Sequence, residues 1–382
     1  MNAIPVEGRC DARFRAVRDA FERNFIEHRE LGAAVCVIVD GDPVVDLAGG
    51  WRDEARSHPW APDTLVNVFS VGKGLASACA LLLVDRGVIA LDEPLARAWA
   101  EMAGEGRDAI TLRHVLSHRA GLPAIREPLA PDAMLDWHTM TAALARTVPW
   151  WPPGSAHGYH VNTFGFLVGE VVRRAAGCSV GTFLRDEIAR PFGADVHVGL
   201  PRSEHARVAD FVWPRPSTVD GTGPATAPAV PAVALSNEMA LLAYSNPAGV
   251  SGAGFVNTPE WRAAELPSTN GHATAAGVAS AYAGLPRLLS AGILGEATTE
   301  HSAGDDLVLG RPSRFGLGFQ LPQPERPLGP NAATFGHFGA GGALGFLDPV
   351  AGVAFGYVTN EMGPRWQNPR NRGLIDAVFA SL

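Results

Sequence analysis

Asp63-Thr-Leu-Val-Asn-Val-Phe69, followed at once by Ser70-Val-Gly-Lys73 and then Gly74-Leu-Ala-Ser-Ala-Cys-Ala-Leu-Leu-Leu-Val-Asp-Arg86, decides how this chain is read. Residues 63–69 form a short extended run. From Val71 to Arg86 the pattern turns helical: Leu75, Ala78, Cys79, Leu82 and Leu83 share one face, and Gly87 ends it. Ser70 thus stands where a strand feeds into a helix. Lys73, three residues on, lies on the same face and reaches the Ser70 hydroxyl. The helix N-terminus adds a positive dipole end and a free backbone N–H at Ser70, which suits an oxyanion.

The lysine is singular. Of 31 basic residues, Lys73 is the only lysine, and the other 30 are arginine. Arginine stays protonated at any working pH, whereas a buried lysine can release its proton. A chain that uses Arg everywhere else and Lys here marks Lys73 as a proton carrier. With 17 serines in 382 residues, a lone lysine would follow a serine by three about once in twenty by chance, and the strand-to-helix setting makes chance the poorer explanation. The S-x-x-K pattern is one known to carry serine acyl-transfer chemistry.

Outward from this stretch, the apolar spacing of Phe14, Val17, Ala20, Phe21 and Phe25 predicts a helix over 11–29. Residues 32–39 predict a strand that turns at 40–43 into a second strand at 44–48. Helices are expected at 112–117, 134–146, 163–176 and 179–190. The Pro/Ala/Thr/Gly-rich stretch from about 200 to 260 is expected to be long ordered loops. Strand signals return at 315–319, 334–337, 343–346 and 353–358, and a last helix is expected at 372–381. The predicted architecture is α and β: one antiparallel sheet built from both termini and flanked by helices, with a mostly helical domain inserted. The boundaries expected are 1–74 and 290–382 for the sheet domain and 75–289 for the helical one, with the active site between them.

Composition narrows the function classes. The net charge is −8, hydrophobic residues are 47% and charged residues 18%, and no Lys/Arg run occurs, which excludes a nucleic-acid or anionic-membrane partner. The longest apolar run, Leu75–Val84, is too short to span a bilayer, and Met1–Arg9 does not read as a signal peptide. Cys10, Cys36, Cys79 and Cys178 show no CxxC spacing. A cytoplasmic, disulfide-free protein is expected, and no feature sets its oligomeric state.

Two further stretches carry chemistry. Tyr159, one of four tyrosines, lies in Gly154-Ser-Ala-His-Gly-Tyr-His-Val-Asn162 just before a helix. A phenol near a lysine can act as base or relay a proton; equally, a loop tyrosine can simply pack its ring and hydrogen-bond its hydroxyl. Gly336-His-Phe-Gly-Ala-Gly-Gly342 is a glycine-dense strand edge that lets a substrate approach the backbone, though by itself it reads as a turn between strands.

Ser70-x-x-Lys73, Tyr159 and His337-Phe338-Gly339, in this order and at these separations, resemble the serine β-lactamase and penicillin-binding-protein superfamily. Within it the likeness is to the class C-like esterases called family VIII carboxylesterases. Supporting stretches are Ile110-Thr-Leu-Arg-His-Val-Leu-Ser-His-Arg-Ala-Gly-Leu-Pro123, Trp151-Pro-Pro-Gly154, Asn270-Gly-His-Ala273, Arg314-Phe-Gly-Leu-Gly-Phe319, Gly345-Phe-Leu-Asp-Pro349 and Gly356-Tyr-Val-Thr-Asn360. The resemblance implies a β-lactamase/transpeptidase-like fold and a serine carboxylesterase acting on small esters, with short acyl chains expected. It implies Ser70 as nucleophile, Lys73 and Tyr159 as its activating pair, and the backbone N–H groups of Ser70 and Ala340 as oxyanion donors. It implies no cofactor and no metal. His337, Phe338, Gly339, Trp151, His160 and Asn162 are the expected substrate-binding residues, with Trp150 and Trp213 as further apolar walls.

Two positions depart from the superfamily pattern. Its Tyr-x-Asn is here Tyr159-His160-Val161, so the asparagine's part is lost or passes to Asn162. Its Lys-Thr-Gly strand is here His337-Phe338-Gly339, which removes groups that hold a β-lactam carboxylate. Both departures point toward esters and away from β-lactam antibiotics; β-lactamase, D-amino-peptidase, amide-hydrolase or acyltransferase use of the same site are the alternatives. Two decoys remain. Gly177-Cys-Ser179-Val-Gly181 fits the α/β-hydrolase elbow, but a helix ends at Gly177 and Ser179 reads as an N-cap. His114 and His118 have zincin spacing without the glutamate.

Overall fold

Residues 4–213, 237–249, 252 and 254–382 are described by a computed structural model. The apolar run at 32–39 has no polar alternation because both of its faces are covered. Strand β2 (Gly32–Val39) sends Ala34, Cys36 and Ile38 into one core, and Ala33, Val35 and Val37 into another. It is a central strand of a six-stranded antiparallel sheet with β1 (Val6–Cys10), β3 (Asp42–Gly50), β9 (Phe335–Phe338), β10 (Leu344–Asp348) and β11 (Val353–Thr359). The order is β1-β3-β2-β11-β10-β9, so the sheet is built from both ends of the chain. β2 and β3 form the expected hairpin, turning on Asp40 and Gly41, which both have positive φ.

One sheet face is covered by the helices Arg15–Glu27 and Pro369–Ala380, through Phe21, Phe25, Leu374 and Val378. The other receives the helix Ala275–Leu288, whose Val278 and Tyr282 approach Gly345 of β10. The expected boundary at residue 289 therefore falls after, not before, a helix that packs on the sheet. Beyond it the core runs on without a break into the helices Val71–Asp85, Trp137–Arg146 and Thr163–Ala176. Two small sheets complete the fold: β4 (Val66–Phe69), β6 (Gly271–Ala273) and β5 (Val196–His197), and the hairpin β7 (Ser302–Asp305) with β8 (Pro312–Phe315).

Several expectations are corrected. β1 was absent from the sequence reading because a five-residue edge strand, Val-Glu-Gly-Arg-Cys, has too few apolar residues to signal itself. The strand expected at 315–319 ends at Phe315, and Gly318, at φ 81°, turns the chain. The helix expected at 179–190 is a series of short pieces, Val180–Leu184, a π-turn over Arg185–Ala189, and Arg190–Phe192. Within 200–260, residues 214–236, 250, 251 and 253 lie outside the described residues; the rest includes a helix, Glu238–Ser245, where only loops were expected. Among the described residues no helix is long and apolar enough to cross a membrane. Cys36 and Cys79 are buried, Cys10 and Cys178 half-buried, and all four are free thiols.

Candidate active site

β4 delivers the chain into the Val71–Asp85 helix through Phe69, a non-glycine residue at φ 48°, held by its ring against Phe211 at 4.8 Å. Ser70 occupies the N-cap position, yet its hydroxyl makes no capping bond and so is free for other use. Lys73, wholly buried, donates from Nζ to Ser70 Oγ at 3.1 Å, to the Val161 carbonyl at 2.7 Å and to the Ser268 carbonyl at 3.0 Å. Gly72 makes the last of these contacts possible. A Cβ there would lie 2.5 Å from the Pro267 carbonyl oxygen, so a side chain would drive the 267–270 segment away from Lys73.

The Lys73 surroundings set its chemistry. No carboxylate is among its partners, and burial pushes it well below lysine's ordinary pKa. A neutral amine has two N–H bonds and one lone pair. With the two N–H groups on the two carbonyls, the lone pair is left for the Ser70 proton. The same three contacts accommodate the ammonium once that proton has moved.

The Tyr159 ring lies beside Lys73, with Nζ 4.8 Å from its centroid. It is buried, stacked with Phe315 at 5.9 Å and edge-on to Trp366 at 5.1 Å. Burial pushes its phenol above the ordinary tyrosine value, opposed by the Ser70 hydroxyl. Its hydroxyl is close to Ser70 without a well-aligned hydrogen bond, and among the described residues no partner takes it. Burial thus favours the neutral form of both groups, an amine that can accept a proton beside a phenol that can give one, whereas the sequence left both options open for the phenol.

The loop carrying Tyr159 is fixed from several directions. Asp306, which the sequence reading missed, is a buried carboxylate. Its Oδ1 accepts the backbone N–H of Tyr159 at 3.0 Å and those of Val308 and Leu309 at 2.9 Å, while Oδ2 accepts the Ser313 hydroxyl at 2.8 Å. His118 Nδ1 accepts the His160 N–H, and the Gly158 N–H donates to the His118 carbonyl. His160 Nε2 accepts the Leu122 N–H while Nδ1 donates to the Gly158 carbonyl. Both ring nitrogens of His160 are thus spent on the loop. His114 and His118 are likewise engaged separately, His114 in a capping box with Thr111.

His337 belongs to β9, and Gly339 follows its end, next to β4, which leads into Ser70. A Cβ on Gly339 would lie 2.2 Å from the Val68 carbonyl oxygen, so only glycine permits this approach. His337 is buried with its ring 6.2 Å from that of Tyr159. Its Nδ1–H donates to the Phe338 carbonyl, and its Nε2 is unpartnered among the described residues. Burial, the largest cause, pushes it down to about 3, so it is neutral. Phe338, one residue on along the pleat, packs in the core with Phe346 and Leu374.

Ala340 begins a tight turn, Ala340–Gly342. Neither its N–H nor that of Ser70 donates to a protein acceptor among the described residues. The turn is clamped by the C-terminal helix: Asn368 Nδ2 donates to the Gly341 carbonyl at 3.2 Å and Asn371 Nδ2 to the Gly342 carbonyl at 2.8 Å.

Asn162 does not join the partners of Lys73. Its Nδ2 donates to the Ala243 carbonyl, and it is the Val161 backbone that takes the lysine. Trp151 is buried in the Tyr159 cluster with its ring 6.1 Å from that of His160. Trp150 donates to the Ala124 carbonyl under Arg126, and Trp213 packs on Phe211; neither is among the hydrogen-bond partners of Lys73 in the described residues. Ser179 caps its helix through the Thr182 N–H and bonds Glu265, with no strand before it. A cleft of about 630 Å³ lined by Trp99, Trp137, Glu170 and Arg174 contains none of the residues named above for the site.

The family model described as Beta-lactamase matches residues 17–379. The chain is 32% identical over 375 residues to the Esterase/beta-lactamase LipL of Mycobacterium tuberculosis (strain ATCC 25618 / H37Rv), covering 94% of this chain and 83% of that protein. It is similar to the crystal structure of a family VIII carboxylesterase, with TM-score 0.90, 35% identity, and 99% and 100% of the two chains covered. It is also similar to the crystal structure of a penicillin-binding protein homolog from Caulobacter crescentus, with TM-score 0.89, 39% identity and the same coverage.

Proposed function

Because the chain belongs to the beta-lactamase family, we propose that it is a serine carboxylesterase that hydrolyses carboxylic esters through an acyl-enzyme on Ser70. The observation that carries this reading is the buried Lys73, whose two neutral carbonyl partners leave its lone pair for the Ser70 hydroxyl.

Ser70 Oγ attacks the ester carbonyl while Lys73 takes its proton. The oxyanion rests on the N–H groups of Ser70 and Ala340, at the N-terminus of the Val71–Asp85 helix. As the tetrahedral species collapses, the carbon–oxygen bond to the alcohol breaks, and the alkoxide takes a proton from Tyr159, which Lys73 replenishes. Water then attacks the acyl-enzyme, gives its proton back along the same path and releases the acid. No step calls for a metal or an organic cofactor.

The β9 position next to Tyr159 holds a buried imidazole, so that position itself offers a lactam carboxylate no charge, and esters are the substrates proposed. The test is a p-nitrophenyl ester series from acetate to decanoate beside a chromogenic cephalosporin, with wild type, Ser70→Ala and Ser179→Ala. Ester turnover that is lost only in Ser70→Ala, with little cephalosporin cleavage, is expected. Dominant cephalosporin cleavage would replace the esterase reading with a lactamase one, and loss only in Ser179→Ala would overturn the site.

A further inference from the structure

Arg311 is a half-buried arginine with no hydrogen bond or ion pair to its side chain among the described residues. Charged side chains rarely bury without a partner, because leaving water costs more than packing returns. Arg311 lies in the connection between β7 and β8, with its guanidinium carbon 4.8 Å from the centroid of the Trp366 ring. That ring is in turn edge-on to Tyr159 at 5.1 Å, so Trp366 touches both the cation and the catalytic phenol.

The surroundings add charge of the same sign. Arg365 is exposed and forms no ion pair among the described residues. Arg326 spends its guanidinium on two neutral acceptors, the Pro312 carbonyl and the Gln323 side chain. Burial pushes Arg311 below its ordinary value and Arg365 adds to this, against Tyr244 and Asp306. Burial pushes Arg326 down to about 10, with the Arg311 charge the next cause. The carboxylate on the same connection, Asp306, has its oxygens taken by three amides and the Ser313 hydroxyl. Asp306 and Glu325 act on these arginines only through space, with no ion pair to any of the three among the described residues, so the Arg311 guanidinium still lacks a contacting anion.

We propose that Arg311 binds a carboxylate carried on the alcohol half of the ester, so that the preferred substrates are acyl esters of hydroxy acids. The planar guanidinium fork matches a carboxylate, and the Trp366 face holds the fork in place. The assignment to the alcohol half rests on the esterase reading. Tyr159 protonates the departing alkoxide, so the groups packed around its ring flank the alcohol.

The test compares kcat/KM for 4-acetoxybenzoate with its neutral methyl ester, and for monophenyl succinate with its methyl ester, in the full chain. Wild type should favour 4-acetoxybenzoate over its methyl ester by about tenfold and show no such preference in the succinate pair. Arg311→Met should bring the first ratio to about one, and Arg311→Lys should keep part of it; a ratio within one variant cancels general damage to folding. A ratio unchanged in Arg311→Met, or an anion preference confined to the acyl half, overturns the inference. Failure of the esterase reading looks different: no neutral ester is then cleaved, or cleavage survives Ser70→Ala.

Discussion

Replacing Asp306 with alanine is expected to unseat Tyr159. The wild-type carboxylate accepts three buried backbone N–H groups, at 3.0, 2.9 and 2.9 Å, and the Ser313 hydroxyl at 2.8 Å. A buried donor stripped of its acceptor costs about 1–3 kcal/mol, so three stranded amides cost about 3–9 kcal/mol. Total stability is typically about 5–15 kcal/mol, so the change removes a large share of it. Asp306→Asn keeps an oxygen for the amides and only exchanges the group facing Ser313, whose hydroxyl can turn to accept; its cost is about 1–2 kcal/mol. The assay is urea unfolding of both variants beside wild type, with kcat and KM on p-nitrophenyl acetate. Alanine should lose at least about 3 kcal/mol and most turnover, and asparagine should retain most of both. An alanine variant as stable as wild type would refute the reasoning. So would equal losses in the two variants, since the negative charge and not the amide acceptor would then matter.

Lys73→Arg keeps a positive charge but cannot supply a lone pair, so kcat should fall about 10⁴-fold or more, measured on the same ester. The pH profile follows from the two opposed shifts. Because burial lowers Lys73, the deprotonated, active form fills as pH rises through that lowered value, and kcat/KM plateaus well below the ordinary lysine pKa. Because burial raises Tyr159, no descending limb is expected up to about pH 10; a fall in rate between pH 7 and 9 would contradict the assignment of Tyr159 as acid. Ser179→Ala should leave ester turnover intact while thermal unfolding shows a loss of about 1 kcal/mol from the missing helix cap.

What the sequence made legible was what is local. Ser70 and Lys73 are three apart on one helix, and the lysine that the sequence singles out by its uniqueness is wholly buried against the Ser70 hydroxyl. The central strands were legible because burial on both faces leaves an unbroken apolar run. The supports of the site were not legible. Lys73 is held by the carbonyls of Val161 and Ser268, 88 and 195 residues away, and backbone groups leave no residue-type signature. Asp306 meets Tyr159 from 147 residues away, and a lone Asp in a turn reads as solvated surface. One available signal went unused. The alternation of a strand places neighbouring residues on opposite faces, which separates His337, beside Tyr159, from Phe338 in the core. Glycine at 72, inside a helix, was another, since it costs about 1 kcal/mol unless something packs against it.

The central claim is a covalent acyl intermediate on Ser70, and intact-protein and peptide mass spectrometry after rapid quenching of a slowly deacylating p-nitrophenyl ester tests it most directly. The account predicts one acyl group per chain on the peptide bearing Ser70, formed together with a burst of p-nitrophenol and absent in Ser70→Ala. An unmodified Ser70 peptide during turnover, or an acyl group on Ser179, would contradict it.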